Sequence, residues 1–313
     1  MSDPVWIDAG TVAGLVSIAD AIDVLSAAVT GGLDPAGDPP RVAVSTRSGQ
    51  LLLMPSEVGD RAGVKIATIA PGNPALGRPR VQALYVLLDS ETLAPLALLD
   101  GAALTSLRTP AVSALAVRHL ATADASRLVV FGSGPQAWGH VAAVRSVRPI
   151  TDVVVVARDP GRTRDFAARV AATGVRTSVG APGAVGEADV VVCATTAGEP
   201  LFAAEALLDA ACVVAVGAHE PDRRELAAEL LGRATVVVED RSTALREAGD
   251  VVIAVAGGAL DQGALLSLAD VVTGAAAADP TRPRVFKSVG MAWEDLVVAA
   301  EIYRRLLADR RRT

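Results

Sequence analysis

Between Arg127 and Glu239 one pattern recurs: a short run of β-branched residues followed by alanine-rich, helix-forming sequence. The runs are LVVF, VVVVA, VVVCA, VVAVG and TVVVE. Each is apolar without alternation, as a strand covered on both faces must be. Their spacing suits βαβ units, so this part of the chain specifies a parallel sheet with helices on both faces.

Directly after LVVF comes Gly132-Ser133-Gly134-Pro135-Gln136-Ala137, a G-x-G-x-x-A turn that opens a helical pattern. The first glycine permits the tight turn, and the second lets a pyrophosphate approach the backbone. The small third residue lets the helix pack on the strand, with the phosphate at the helix amino terminus. Such a motif alone is weak evidence; the strand before it, the helix after it and the repeated βα units give it weight.

The second strand ends at Ala157-Arg158-Asp159. An acid there would bond the ribose 2′-hydroxyl of NAD, whereas an arginine would accommodate the 2′-phosphate of NADP. Arg158 comes first, which favours NADP; Asp159 leaves NAD open. The plainer alternative is that both residues merely begin a solvated helix.

The amino-terminal part reads differently. A helix-like stretch around Ala21 to Val29 precedes a Pro/Gly-rich loop from Gly31 to Pro40. Short strands follow, VAVST, LLLMP, VKIATIA and VQALYVLLD, separated by Gly, Pro and Asp turn signals. This half is α+β, and a length of 313 residues accommodates two domains. From Met291 the chain ends in an amphipathic helix whose terminal arginines suit the negative helix pole and solvent.

A net charge of −6 argues against nucleic acid or an anionic membrane as partner, because the phosphate-neutralising surface is lacking. Small molecules are the expected ligands. The start MSDPVWIDAG lacks a basic segment followed by an apolar one, and no apolar run reaches membrane-spanning length. The expected compartment is the cytoplasm. Cys193 and Cys212 each sit in an apolar run without metal-ligand spacing, so they are expected to be buried thiols, and no metal site is expected.

Across the chain, several segments resemble the ornithine cyclodeaminase/mu-crystallin family in that family's order. They are GVKIATIAPGNPALGRPRVQALYVLLDSET, PLALLDGAALTSLRTPAVSALAVRHLA, FGSGPQAWGH, VVVCATTAGEPLF, VGAHEPDRREL and FKSVGMAWEDL, together spanning roughly residues 63–296. The resemblance implies an α/β protein: a Rossmann dinucleotide-binding domain inserted in a discontinuous α+β substrate and dimerisation domain. Its expected bounds are 1–115 plus the final helix 292–313 for the substrate domain, and 116–291 for the Rossmann domain. It also implies a homodimer and hydride transfer at a carbon bearing nitrogen and carboxylate.

By the same resemblance, carboxylate-binding or catalytic positions fall on Arg41, Lys65 and Arg108, a cationic trio suited to a substrate carboxylate. Thr109 matches a position near the coenzyme phosphates. Thr195 and Thr196 follow VVVCA and Gly217 ends VVAVG, at the strand ends where Rossmann ligands bind. Usage supports Lys65 independently. The chain has 29 Lys and Arg, yet lysine occurs only at Lys65 and Lys287. A chain that otherwise uses arginine keeps lysine where a compact, proton-donating ammonium is needed.

The sequence departs from the cyclodeaminases at two places. Where they carry a proton-handling aspartate, this chain has His219, a residue able to give or take a proton near neutrality. Near the MP dipeptide, where ornithine-binding members carry a glutamate, it has Leu52. The expected function is therefore NAD(P)H-dependent reduction of an α-imino acid, a cyclic ketimine carboxylate such as pyrroline-2-carboxylate or piperideine-2-carboxylate. Lys65 and His219 are the expected proton donors. Cyclodeamination with bound NAD, an alanine-type dehydrogenase and a non-catalytic binding protein stand as alternatives. His119 and His140 read as packing or capping residues, Asp222 as a helix amino-terminal residue, and Asp295 as either a family acid or a helix-terminus residue.

Overall fold

A computed structural model describes residues 3–312, in which the chain divides into two units. Unit one ends at Thr109 and resumes at Met291, and unit two runs from Pro110 to Gly290. The first division falls inside a continuous helix, at Pro110, six residues before the boundary read from sequence.

Unit one is built on a six-stranded sheet: β1 (Val5–Ile7), β2 (Val42–Thr46), β3 (Gly49–Val58), β4 (Arg61–Ile69), β5 (Val81–Asp89) and β6 (Pro95–Asp100). Their order is β1-β6-β5-β4-β3-β2, antiparallel throughout except for the parallel β1–β6 pair. The four strands read from sequence are present; β1 and β6 were not among them. Helices α1 (Ala9–Leu15) and α2 (Ile18–Thr30) follow β1, and α3 (Gly101–Leu120) follows β6. Ser17 starts α2 with a reciprocal capping box to Asp20.

Unit two begins with β7 (Arg127–Phe131), α4 (Pro135–Val147), β8 (Asp152–Val156), α5 (Pro160–Ala171) and β9 (Arg176–Val179). It continues with β10 (Val190–Cys193), β11 (Cys212–Ala215), α6 (Ala228–Arg233), β12 (Thr235–Val238), α7 (Arg241–Glu247) and α8 (Gly249–Ala256). Last come β13 (Leu266–Ser267), α9 (Leu268–Thr273) and β14 (Arg284–Lys287). All eight strands are parallel, in the order β13-β12-β14-β11-β10-β7-β8-β9. The chain moves outward from β7 through β8 to β9, then returns to β10 on the other side of β7. That reversal makes the carboxyl ends of β7 and β10 the topological switch point, where open α/β sheets bind ligands.

The five apolar runs are five of these strands, and their residues from Val190 to Cys193 and from Cys212 to Ala215 are entirely buried. Strands β9 and β14 escaped the sequence reading for physical reasons. RTSV lies at a sheet edge and is largely exposed, while RVFK is buried but carries a cation at each end. Both cysteines are buried free thiols, Cys212 pushed up to about 12 by burial.

The carboxyl-terminal helix α10 (Ala292–Arg310) belongs to unit one and packs on β3, β4 and β5. Among the described residues, no single helix is long and apolar enough to cross a membrane.

Candidate functional site

In unit one, Lys65 lies in the middle of β4, opposite Met54 of β3 and Tyr85 of β5. It is only 3% exposed. An ammonium left alone there would cost several kcal/mol, about as much as the fold can spare, so a partner is required. Asp295, in the first turn of α10, accepts from Lys65 Nζ at 2.6 Å. The other oxygen of Asp295 accepts from Arg108 Nε at 3.1 Å, and Arg108 Nη1 donates to Glu294 at 2.6 Å. Both acids are fully buried.

The sequence reading of a cationic trio is thereby amended. Lys65 and Arg108 are brought together, but two acids from α10 interleave with them, so the group is a neutral ionic cluster. The uncertain role of Asp295 is decided by magnitude. An acid in a first turn gains ~0.3–1 kcal/mol from the helix dipole, whereas removing one partner of a buried ion pair costs ~3–5 kcal/mol. Asp295 holds the cations. Burial, aided by neighbouring Arg108 and opposed by Asp295, brings Lys65 down to about 8.

Asp38, which the sequence reading passed over as part of a loop, bonds the same helix. It accepts from Ser56 Oγ at 2.5 Å and from the backbone N–H of Trp293 at 2.7 Å, and burial raises its carboxyl. Tyr85 is fully buried with its hydroxyl unpartnered, and burial, with Asp295 and Asp38 nearby, raises it well above the usual phenol range. Arg41 is half-buried immediately before β2. Leu52 is half-buried in β3.

In unit two the glycine turn takes the expected form. Gly132 has φ +113°, and a Cβ there would stand 2.5 Å from the carbonyl oxygen of Ala194, so only glycine fits. Gly134 is the N-cap of α4 with no side chain capping it, Pro135 occupies the first turn, and a Cβ on Gly134 would meet open space. Ser133 is half-buried and Ala137 wholly buried. Gln136 buries a side-chain oxygen without a partner. An uncapped helix start facing open space behind a glycine turn fits a pyrophosphate. Thr109 of α3 likewise buries a hydroxyl without a partner.

His140 fixes the packing of α4. Its Nδ1 donates to the carbonyl of Gln136 at 2.7 Å, and its Nε2 accepts from Ser113 Oγ at 2.9 Å. Burial lowers it to about 4, so the ring is neutral. His119 is exposed in the last turn of α3.

Arg158 is exposed beyond β8, while Asp159 is the N-cap of α5 and accepts from the N–H of Arg162 at 2.9 Å. One carboxylate oxygen of Asp159 is thus committed to the helix. Thr195, after β10, gives its hydroxyl proton to Glu225 at 2.7 Å and accepts from the N–H of Ala197. Thr196 is exposed, and the N–H of Gly217 donates to Glu225 at 2.7 Å. His219 is exposed on the loop after β11, with Nδ1 3.4 Å from the Gly217 carbonyl oxygen.

One reading needs correction. Asp222 does not begin a helix: it lies in an exposed turn, and α6 starts later, with Ala227 at its N-cap position and no side chain capping it. The consequential acid in PDRREL is Glu225, buried and bonded to both loops. Lys287, the chain's other lysine, was the signal that unit two also contained a charged network; it is buried at the end of β14.

The sequence profile of the ornithine cyclodeaminase/mu-crystallin family matches residues 7–310. The chain is 36% identical to the ketimine reductase mu-crystallin of Mus musculus over 267 residues, covering 84% of this chain and 82% of that protein. It is 34% identical over 268 residues to the Delta(1)-pyrroline-2-carboxylate reductase of Bacillus cereus strain ZK / E33L, covering 81% of each. Among solved structures, the Delta(1)-pyrroline-2-carboxylate reductase of Thermococcus litoralis, in complex with NADH and L-proline, superposes with a TM-score of 0.92. Its identity is 29%, over 97% of this chain and 98% of that one. With fold, glycine turn and sequence in agreement along the chain, this protein belongs to the ornithine cyclodeaminase/mu-crystallin family.

Proposed function

We propose that this protein reduces the C=N bond of a cyclic α-imino acid, pyrroline-2-carboxylate or piperideine-2-carboxylate, to the amino acid. It is an oxidoreductase and its coenzyme is NAD(P)H. The observation that carries this reading is the buried cluster of Lys65, Arg108, Glu294 and Asp295. The same chemistry is named for the mouse and Bacillus cereus relatives and accords with the ligands of the Thermococcus litoralis enzyme.

When bound, the coenzyme would supply the hydride equivalent for the imine carbon, and everything else falls to the chain. Arg108 and Lys65 bind the substrate carboxylate, with Arg41 as a third cation at its periphery. Held by Asp295, Lys65 delivers a proton to the ring nitrogen, so that C=N becomes CH–NH with one hydride and one proton gained. A protonated imine accepts hydride far more readily than a neutral one, and positioned proton donors contribute ~10²–10⁴-fold to rate. His219 is a second proton donor in this proposal. Gly132, Ser133, Gly134, Pro135, Gln136 and Ala137 hold the pyrophosphate, with Thr109, Thr195, Thr196 and Gly217 at the coenzyme's edge. Exposed Arg158, beside an Asp159 already engaged in capping, favours the 2′-phosphate and hence NADPH.

The reductive reading is preferred to cyclodeamination because Leu52 and His219 leave a second amine and its departing ammonia without the acids they need. A homodimer through unit one is proposed as well, since β2 is an edge strand whose five residues are all exposed.

The test follows absorbance of NADPH and of NADH with each cyclic imine, for wild type, Lys65→Ala and His219→Ala. Substrate-dependent oxidation, faster with NADPH and reduced ~10²-fold or more in Lys65→Ala, is the expected result. No oxidation of either coenzyme by wild type would sink the reading. A His219→Ala rate equal to wild type would remove the imidazole from the mechanism.

A further inference from the structure

Lys287, the second of the chain's two lysines, ends β14 and is 1% exposed. Its Nζ donates to the backbone oxygen of Ala218 at 2.5 Å and pairs with Asp250 Oδ2 at 3.2 Å. The other oxygen of Asp250 accepts from the backbone N–H groups of Glu225 and Leu226, both at 2.8 Å. Glu225, fully buried, is thereby fixed at its main chain.

The Glu225 carboxylate then serves two loops. Oε1 accepts from the backbone N–H and the hydroxyl of Thr195 at 2.8 and 2.7 Å, and Oε2 accepts from the N–H of Gly217 at 2.7 Å. These loops leave the carboxyl ends of β10 and β11. A Cβ on Gly217 would collide with the backbone oxygen of Thr195 and stand 2.6 Å from Glu225 Oε1, so the loops meet backbone to backbone around this one side chain.

Stability alone does not account for such a network. Replacing a buried ionic group by apolar side chains of similar volume is often neutral or stabilising, and apolar residues surround it in the sheet. What apolar side chains cannot do is bind three N–H and O–H donors from two loops at once. A carboxylate does, because both of its oxygens only accept. The loops concerned lie at the ligand end of the sheet, next to the strand that carries the glycine turn.

We propose that Glu225 is a positioning residue of the coenzyme site. Braced by Asp250 and Lys287, it sets the spacing of the Thr195 and Gly217 loops and so determines coenzyme affinity without itself touching the coenzyme. The inference rests on the coenzyme reading above.

Glu225→Gln is the informative variant. It keeps the shape, but its amide nitrogen must face an N–H donor from one loop or the other. NADPH is titrated against protein fluorescence, and KM for the cyclic imine is measured at saturating NADPH. The expected result is a rise in NADPH Kd of about tenfold or more, the scale of one lost charge-assisted bond, with imine KM within about twofold of wild type. A residue serving stability alone would lower the melting temperature and leave Kd unchanged. Where Glu225→Gln does not fold, Asp250→Asn, which alters the brace on the Glu225 main chain and removes the charge paired with Lys287 while leaving every residue at the coenzyme's edge in place, is expected to weaken NADPH binding severalfold. Wild type that binds NADPH together with a folded variant of unchanged Kd overturns this inference alone. Wild type that binds neither NADPH nor NADH overturns the coenzyme reading, and the inference with it.

Discussion

Lys65 is charged in a place that disfavours charge, and its proton is correspondingly loose. Burial and Arg108 bring it to about 8, against an ordinary value of 10.5, while Asp295 holds it from falling further. If the protonated ammonium binds carboxylate and gives up a proton, kcat/KM must fall as pH rises through about 8, because kcat/KM reports the free enzyme. Below that value Lys65 is charged and contributes fully; above it, activity declines about tenfold per unit. The residual activity of Lys65→Ala should show no break there, and a wild-type profile without a break near 8 would count against Lys65 as the donor. Lys65 was legible in the sequence because it stands alone in an apolar strand of an arginine-using chain. Its partners were not, since Glu294 and Asp295 in WEDL read equally well as the start of a solvated helix. Only the approach of α10 to β4, 230 residues apart in the chain, distinguishes the two. Asp38 was hidden in the same way, in a Pro/Gly-rich loop where an acid is unremarkable. Glu225 was displaced by its more conspicuous neighbour Asp222.

Among the elements, the β7 to α4 turn was the most legible, because its demands are local. A positive φ at Gly132, a helix start without a side-chain cap and a small residue at Ala137 are all requirements of a few consecutive residues. Strand β14 is the opposite case: it is buried between β11 and β12, yet nothing local distinguishes RVFK from a loop. The turn yields its own prediction. In Gly132→Ala the methyl must enter space held by the Ala194 carbonyl, and alanine at φ +113° is strained as well. The backbone therefore shifts at the turn proposed to hold the coenzyme phosphates. NADPH affinity should drop at least tenfold by fluorescence titration, while a substitution at an exposed position of α4, such as Ser146→Ala, leaves it unchanged. Equal affinity in Gly132→Ala would mean that the turn does not hold the phosphates.

At the scale of the whole chain, the two-unit arrangement follows from the change of hydrophobic period. Five strands of unit two carry continuous apolar runs, so helices must cover both faces of the sheet they form. Those in unit one include β2, whose side chains are all exposed, with Val42 50% and Val44 45% open to solvent. Val42 and Val44 project from the same face of an edge strand. Val81, 52% exposed at the start of β5, stands at the same end of the sheet, since its row runs through Ile69 and Gln50 to Ser45. An exposed edge that is apolar and unprotected invites pairing with a second copy or aggregation, and a closed symmetric pair removes the hazard. Wild type should therefore sediment at about twice its 31.8 kDa mass. Val44→Lys places a charge on that edge without touching the buried core, so it should shift the protein to the monomer while leaving its circular dichroism unchanged. A wild type that sediments as a monomer, or a Val44→Lys protein that remains a dimer, would assign β2 to some other purpose than self-association.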